Sequence, residues 1–251
     1  MRSRRVRLPR LSGTVLLALC CALVAGSIAV GLAMRGSLTH YGEDIDAVAR
    51  FPYSIFAGSE RTLDRSSRDE TDGYGIEDST IVVRATFNGS REYVYQSFLS
   101  DVVVDDVIRG DGVGVGDVIS VLEPLKIVDP DNPSSGAQLS DLRGVMPSTN
   151  SACMFGVTPL REGQEYLLFL TPKAYPDELA SENRREAYCL AVDPYCRVAV
   201  DTADHQDRVH VVAVGEELTF SDASEYDMLV TDEAAKERYV STCQELLEGT
   251  R

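Results

Sequence analysis

Six cysteines, three histidines and 40 carboxylates are the side chains of this 251-residue chain that could carry chemistry. Cys153, Cys189, Cys196 and Cys243 lie in the second half, and Cys20 and Cys21 sit in an apolar run near the start. In an oxidising compartment, four cysteines suggest two disulfides with three possible connectivities. Cys189 and Cys196 flank the turn signal Asp193-Pro194 and are expected to pair across a hairpin, leaving Cys153 to clip onto Cys243. Crossed pairings stay open, and so do reduced, buried thiols. Zinc fits poorly, because no C-x-x-C pair exists and no histidine neighbours the cysteines. His40 stands apart, while His205 and His210 are five apart and would face opposite sides of a strand, so they share no metal. HExxH and GxSxG are absent. The glycines of Gly112-Val113-Gly114-Val115-Gly116 join two strand-like runs rather than opening a helix, which reads as a hairpin and not a phosphate loop. Asp129, Asp131 and Asn132 offer oxygen ligands, but the glycine and terminal glutamate of a calcium loop are missing. Asp101, Asp105 and Asp106 read as a solvated strand face whose charges guard an edge. No catalytic, cofactor-binding or metal-ligating residue is assigned, and no cofactor is expected.

The elements that must position these residues begin with an uneven distribution of charge. Residues 1–10 carry Arg2, Arg4, Arg5, Arg7 and Arg10 and no acid. From Leu11 to Met34 no residue is charged. As a helix this run is about 36 Å long, enough for a hydrocarbon core of about 30 Å. Five arginines before it predict a cytoplasmic basic tail (1–10), a transmembrane signal anchor (11–34) and an exported remainder. A cleavable signal peptide is the rival, with small-x-small sites at Ser27-Ile28-Ala29 and Gly31-Leu32-Ala33. Leu17-Ala18-Leu19 fits a lipobox before Cys20 poorly. Ala25, Ala29 and Ala33 form a small-residue ladder that could seat a weak helix dimer.

All 40 acids but only 19 of the 24 basic residues follow the run, so the remainder carries a net charge of −21. That excludes a basic nucleic-acid face, and anionic lipid would repel the domain. Residues 35–78 read as a juxtamembrane stalk, reaching about 35 Å as a flexible coil. Within it, 45–56 has enough apolar side chains to dock on the domain.

From residue 80 the pattern becomes short β-type runs divided by turns. Strands are expected at 81–87 (ending at the turn signal Asn88-Gly89), 98–108, 118–122, 166–170, 188–192, 197–200 and 209–214, with a long loop over 129–158. Thr231 can cap a helix over 232–248 whose Tyr239, Cys243, Leu246 and Leu247 form one apolar stripe. The expectation is a mainly β domain over 79–251, a small barrel or sandwich closed by a C-terminal amphipathic helix.

The ordered series resembles a known module. A Val-rich strand (81–87) precedes Tyr93 and Tyr95, then a strand ending DVIRG (106–110), a Gly-rich turn, DVISVLEP (117–124), the loop Cys153, and LREGQEYLLFL (160–170). This resembles the netrin-like module, the barrel related to the oligonucleotide-binding fold that tissue inhibitors of metalloproteinases share with bacterial extracytoplasmic domains. The match covers 80–170 well and 171–251 loosely. It implies an OB-like barrel and an exported interaction domain in a bacterial envelope. It does not carry over inhibitor activity, because the exported part has no cysteine before Ile81 to bind a target's zinc.

The expected function is therefore a membrane-anchored extracytoplasmic binding or scaffolding module, not an enzyme, with an envelope or extracellular protein as partner. An envelope enzyme with an unrecognised acidic site and a secreted, released domain are the alternatives.

Overall fold

The computed structural model describes residues 23, 24, 26, 27, 48–53, 75–94, 97–128, 144–147, 156–172, 186–191, 193–202, 204 and 206–250. Two compact units divide the chain, residues 1–39 and 40–251. In the first, Leu23, Val24, Gly26 and Ser27 are helical and exposed, and the Ser27 hydroxyl donates to the Leu23 carbonyl. Among the described residues no helix is long and apolar enough to cross a membrane; most of the 11–34 run lies outside them.

The second unit is built on a closed five-stranded barrel. Its strands are β2 (Ile81–Val94), β3 (Ser97–Arg109), β4 (Val118–Glu123), β7 (Glu165–Pro172) and β8 (Tyr188–Leu190). The order β2-β3-β4-β8-β7 closes through β2–β7, where Ile81 lies opposite Leu170 and Thr86 opposite Glu165. Alternation explains the filling. Val83, Ala85, Val102, Val104, Val121, Leu168 and Leu170 are all buried in the main core. β7 is apolar on both faces, as its YLLFL run requires: Tyr166 to Leu170, which alternate between the two faces, are all buried in the main core.

Three expected features differ. Asn88-Gly89 is a bulge within β2 and not its end: pairing shifts between Phe87 and Arg91, Gly89 has φ +89°, and the Asn88 side-chain Oδ1 accepts the Ser90 amide. The Asp193-Pro194 turn does not make a hairpin. β8 and β9 (Arg197–Ala199) both run antiparallel along the same edge of β7, with the turn as a bump between them. The 129–158 stretch, read as loop, contains β6 (Gly144–Pro147). The Gly-rich turn is the expected β3–β4 connection, with positive φ at Gly110, Gly112 and Gly116.

A second sheet has the order β11-β1-β6-β5, where β1 is Pro52–Tyr53, β5 is Leu125–Val128 and β11 is Leu218–Thr219. Its core holds Val48, Tyr53, Phe98, Leu125, Ile127, Val145, Phe220, Ala223 and Leu229. The docking expected of 45–56 is thus seen at 48–53, and the folded unit reaches further toward the N-terminus than residue 79. Ile76, in a single 3-10 turn, is buried against the barrel.

β10 (Val209–Val211) and β12 (Met228–Val230) form a parallel pair. Gly156 shows why the chain needs glycine beside them. Its φ is +80°, and a Cβ there would lie 1.9 Å from the Leu229 carbonyl oxygen. Helix α1 (Phe220–Ala223) begins at a capping box of Thr219 and Asp222. The C-terminal helix α2 (Glu233–Gly249) is capped by Asp232, one residue later than expected, whose carboxylate accepts the Ala235 amide at 2.7 Å. Ala235, Tyr239, Val240, Cys243 and Leu247 bury its apolar stripe in the main core.

Candidate functional site

Two clusters of buried charge join the barrel to the segment 157–161. The first centres on Glu123, the last residue of β4, which is 1% exposed. Arg91, past the β2 bulge, reaches across β3 to pair with it at 2.8 Å and lays its guanidinium over the Phe87 ring, 4.6 Å from the centroid. The Ser100 hydroxyl also donates to Glu123, and the Leu160 amide donates to its other oxygen at 2.7 Å. Arg91 Nη2 donates to the Leu160 carbonyl at 2.5 Å. Both backbone groups of Leu160 are thus held by one ion pair, and the desolvated carboxylate is fully used.

The second cluster centres on Arg197, at the start of β9 and 3% exposed. Its Nη2 donates to Thr158 Oγ1 at 2.7 Å and to the Asp227 carbonyl at 3.1 Å, and the group lies 5.5 Å from the centroid of the Tyr166 ring. Arg161 Nη2 pairs with Asp227 Oδ1 at 2.9 Å. Gln164 then links Arg161 and Arg208 to Asp201. Four buried atoms here have no hydrogen-bond partner: Arg161 Nε, Arg197 Nε, Arg197 Nη1 and Asp227 Oδ2. Burial pushes the Asp227 carboxyl up, against the pull of Arg161, Arg197 and Arg208. The geometry suits fixing three chain segments in one block: β9, the start of β12 and 157–161.

Phenols and thiols surround this block. Burial raises the pKa of Tyr53, Tyr166, Tyr239, Cys196 and Cys243, and pushes Tyr93 up to about 12. A group whose pKa rises on folding stabilises the fold below its unfolded pKa and loses that contribution as pH climbs past it. Unfolded cysteine and tyrosine titrate near about 8.5 and 10. Stability is therefore expected to fall steadily above about pH 9, with buried phenols ionising only as the chain unfolds. Phenolate absorbance followed beside circular dichroism checks this; ordinary phenol titration in a folded chain at all these tyrosines would contradict it.

The cysteines are placed differently from the expected hairpin pair. No disulfide joins Cys189, Cys196 or Cys243 to one another. Cys189 packs with Leu99, Leu122 and Ala187, whereas Cys196 is in the main core. Because β8 and β9 follow one another along β7, the two thiols are not opposed across a turn. Cys243 is a free thiol in the main core, one helical turn after Tyr239, whose ring stacks on Tyr195. Its expected partner Cys153 lies outside the described residues, as do His40, His205 and Asp129 to Asn132. Among the described residues no group of three His, Cys, Asp or Glu could hold a metal ion. The acidic triplet divides: Asp105 and Asp106 are exposed, but Asp101 is buried and accepts the Ser120 hydroxyl at 2.8 Å.

His210 of β10 stacks on Tyr226 and lies 2.8 Å from Glu216. The Ala213 amide and His210 hold the Glu216 carboxyl below its usual range. Val214, at the tip of that turn, is fully exposed. No expectation from the sequence singles out these buried charges; their signal is a charge bordering an apolar strand, Glu123 after VISVL and Arg197 before VAV.

A further feature is the seat of residues 48–53. Tyr53 pairs with Leu218 of β11 and Val145 of β6, and its hydroxyl donates to the Val157 carbonyl. The first amides of α1 donate into the same segment, Phe220 to the Phe51 carbonyl at 2.8 Å and Ser221 to the Ala49 carbonyl at 3.0 Å.

No protein-family model matches the chain, and no curated protein compared with it gives a match.

Proposed function

We propose that this chain is a single-pass membrane protein that displays a netrin-like, OB-type barrel on the extracytoplasmic side as a binding or scaffolding module. The observation that carries the reading is the uncharged run from Leu11 to Met34 behind five arginines. The closed barrel with its C-terminal helix supports the netrin-like part, in the order of the motifs that suggested it. The filled interior favours recognition through outer faces and loops: the barrel's inward side chains are Val, Ala, Leu, Phe and Tyr packed on one another. A net charge of −21 after the run favours a protein partner of opposite charge over nucleic acid or an anionic lipid surface.

Protease added outside intact cells tests orientation and anchoring together. The expected result is digestion of residues beyond 35 by external protease, with the undigested protein leaving the membrane fraction only in detergent. Recovery of the full-length chain in the soluble cytosol would overturn the reading. A product in the medium beginning between Gly26 and Gly36 would replace the anchor with a cleaved signal peptide.

A further inference from the structure

The chain has four asparagines, and only Asn88 precedes a glycine; Asn132, Asn150 and Asn183 precede Pro133, Ser151 and Arg184. The fold itself demands this pair. At the bulge Gly89 holds φ +89°, a conformation that side chains rarely adopt. The residue after Asn88 is therefore the one type with no side chain to shield its backbone nitrogen.

The bulge leaves the pair open. Asn88, Gly89 and Ser90 are exposed, and none has a register partner in β3 or β7, although Phe87 and Arg91 on either side are paired. The Ser90 amide donates to Asn88 Oδ1 at 2.9 Å. That bond folds the side-chain amide back along its own backbone as an Asx turn. It also draws electron density from Cγ, and the same N–H faces the oxygen on which charge develops when a nucleophile adds there. An intramolecular nucleophile held so close needs no encounter.

The reaction needs only water. The Gly89 nitrogen gives up its proton and adds to Asn88 Cγ. The Cγ–Nδ2 bond breaks and Nδ2 leaves as ammonia, closing a five-membered succinimide. Water then opens either ring carbonyl. One opening leaves aspartate; the other leaves isoaspartate, in which the main chain runs through Cβ and Cγ and is one atom longer.

The place of the extra atom gives it an effect. The stretch from Phe87 to Arg91 sets how far Arg91 reaches, and Arg91 carries the 2.8 Å pair with Glu123 and the bond to the Leu160 carbonyl. Either product also adds a carboxylate beside Gly89, where a Cβ would lie 2.9 Å from Glu162 Oε1, so like charges are brought together.

We propose that Asn88 is a self-modifying site: in the folded chain it cyclises onto Gly89 and opens to isoaspartate, lengthening the bulge and loosening the Arg91–Glu123 clamp. The inference does not rest on the membrane reading.

The full chain, folded throughout, is aged in warm, mildly alkaline buffer and mapped by trypsin, which releases Asn88 in the peptide 85–91. Isoaspartyl methyltransferase labels isoaspartate, and deamidation shows as a gain of one mass unit. The expected result is conversion at Asn88 several-fold beyond that at Asn132, Asn150 or Asn183, with isoaspartate the larger product. The rate should rise with pH, because the attacking nitrogen must lose its proton. Asp72-Gly73 and Asp111-Gly112 can isomerise without a change of mass. An Asn88→Gln chain, which keeps the amide but cannot close a five-membered ring, is aged alongside to subtract them. The aged chain should unfold at a lower urea concentration than aged Asn88→Gln, and lower than Asn88→Asp, which carries the charge without the extra atom. An Asn88 that keeps its amide in the folded chain, whether or not it converts in urea, overturns the site. An isoaspartate-bearing chain with the midpoint of Asn88→Asp overturns the coupling to Arg91.

Discussion

A chain beginning at Ser79 is expected to unfold with a stability lower by about 5 kcal/mol or more than one beginning at His40. The shorter chain lacks Val48, Phe51 and Tyr53, which pack into the second core, and Ile76, which packs against the barrel. Burial of each large apolar side chain contributes about 1.5–3 kcal/mol, an upper figure since the unfolded chain already buries some of this surface. The loss also uncovers Phe98, Leu125, Ile127 and Val145, and leaves β6 and β11 without the strand between them. Typical domains have only about 5–15 kcal/mol in total, so the shorter chain should be largely unfolded or aggregated. Urea unfolding of the two chains decides it, and equal midpoints would show that residues 48–53 and Ile76 are not part of the folded unit.

Glu123→Ala should cost about 3–5 kcal/mol, because it takes the carboxylate from a partly buried guanidinium and the acceptor from a buried backbone amide at once. Arg91 loses its carboxylate at 2.8 Å and the Leu160 amide loses its acceptor at 2.7 Å. Replacing both partners with apolar residues, Glu123→Met with Arg91→Met, should cost less than the single substitution, since the main penalty is the orphaned charge and not the lost attraction. A double-mutant cycle in urea measures this directly. If Glu123→Ala shifts stability by less than about 1 kcal/mol, the pair is solvated in solution and the proposed clamp on Leu160 is refuted.

The barrel was legible because its strands are long and patterned. VISVL and YLLFL have few alternatives once flanked by turns, and α2 announces itself through the stripe of Tyr239, Cys243 and Leu247, although its cap is Asp232 and not the expected Thr231. The second sheet was not legible, since β1 and β11 are two residues each and take their conformation from partners far away in sequence. Asn88-Gly89 and Asp193-Pro194 are strong local turn signals, yet in both places tertiary pairing continued past them, as a bulge in β2 and a bump along β7. The same error displaced the cysteine expectation, because Cys189 and Cys196 were placed across a hairpin that the β7 edge does not allow. The buried clusters at Glu123 and Arg197 depend on which apolar strands meet, and periodicity within one strand carries no such information.

Closure of the ring through Ile81 and Leu170 has a consequence for synthesis. While the polypeptide emerges from the ribosome, β2 and β3 can zip together early, but the outer border of β2 has nothing to bond until β7 has been made. Pairings so far apart along the chain form slowly, on a scale of about milliseconds to seconds. Until then a row of unpaired amides and carbonyls stands open to neighbouring nascent chains, and a chain released before residue 165 would never gain the strand that covers it.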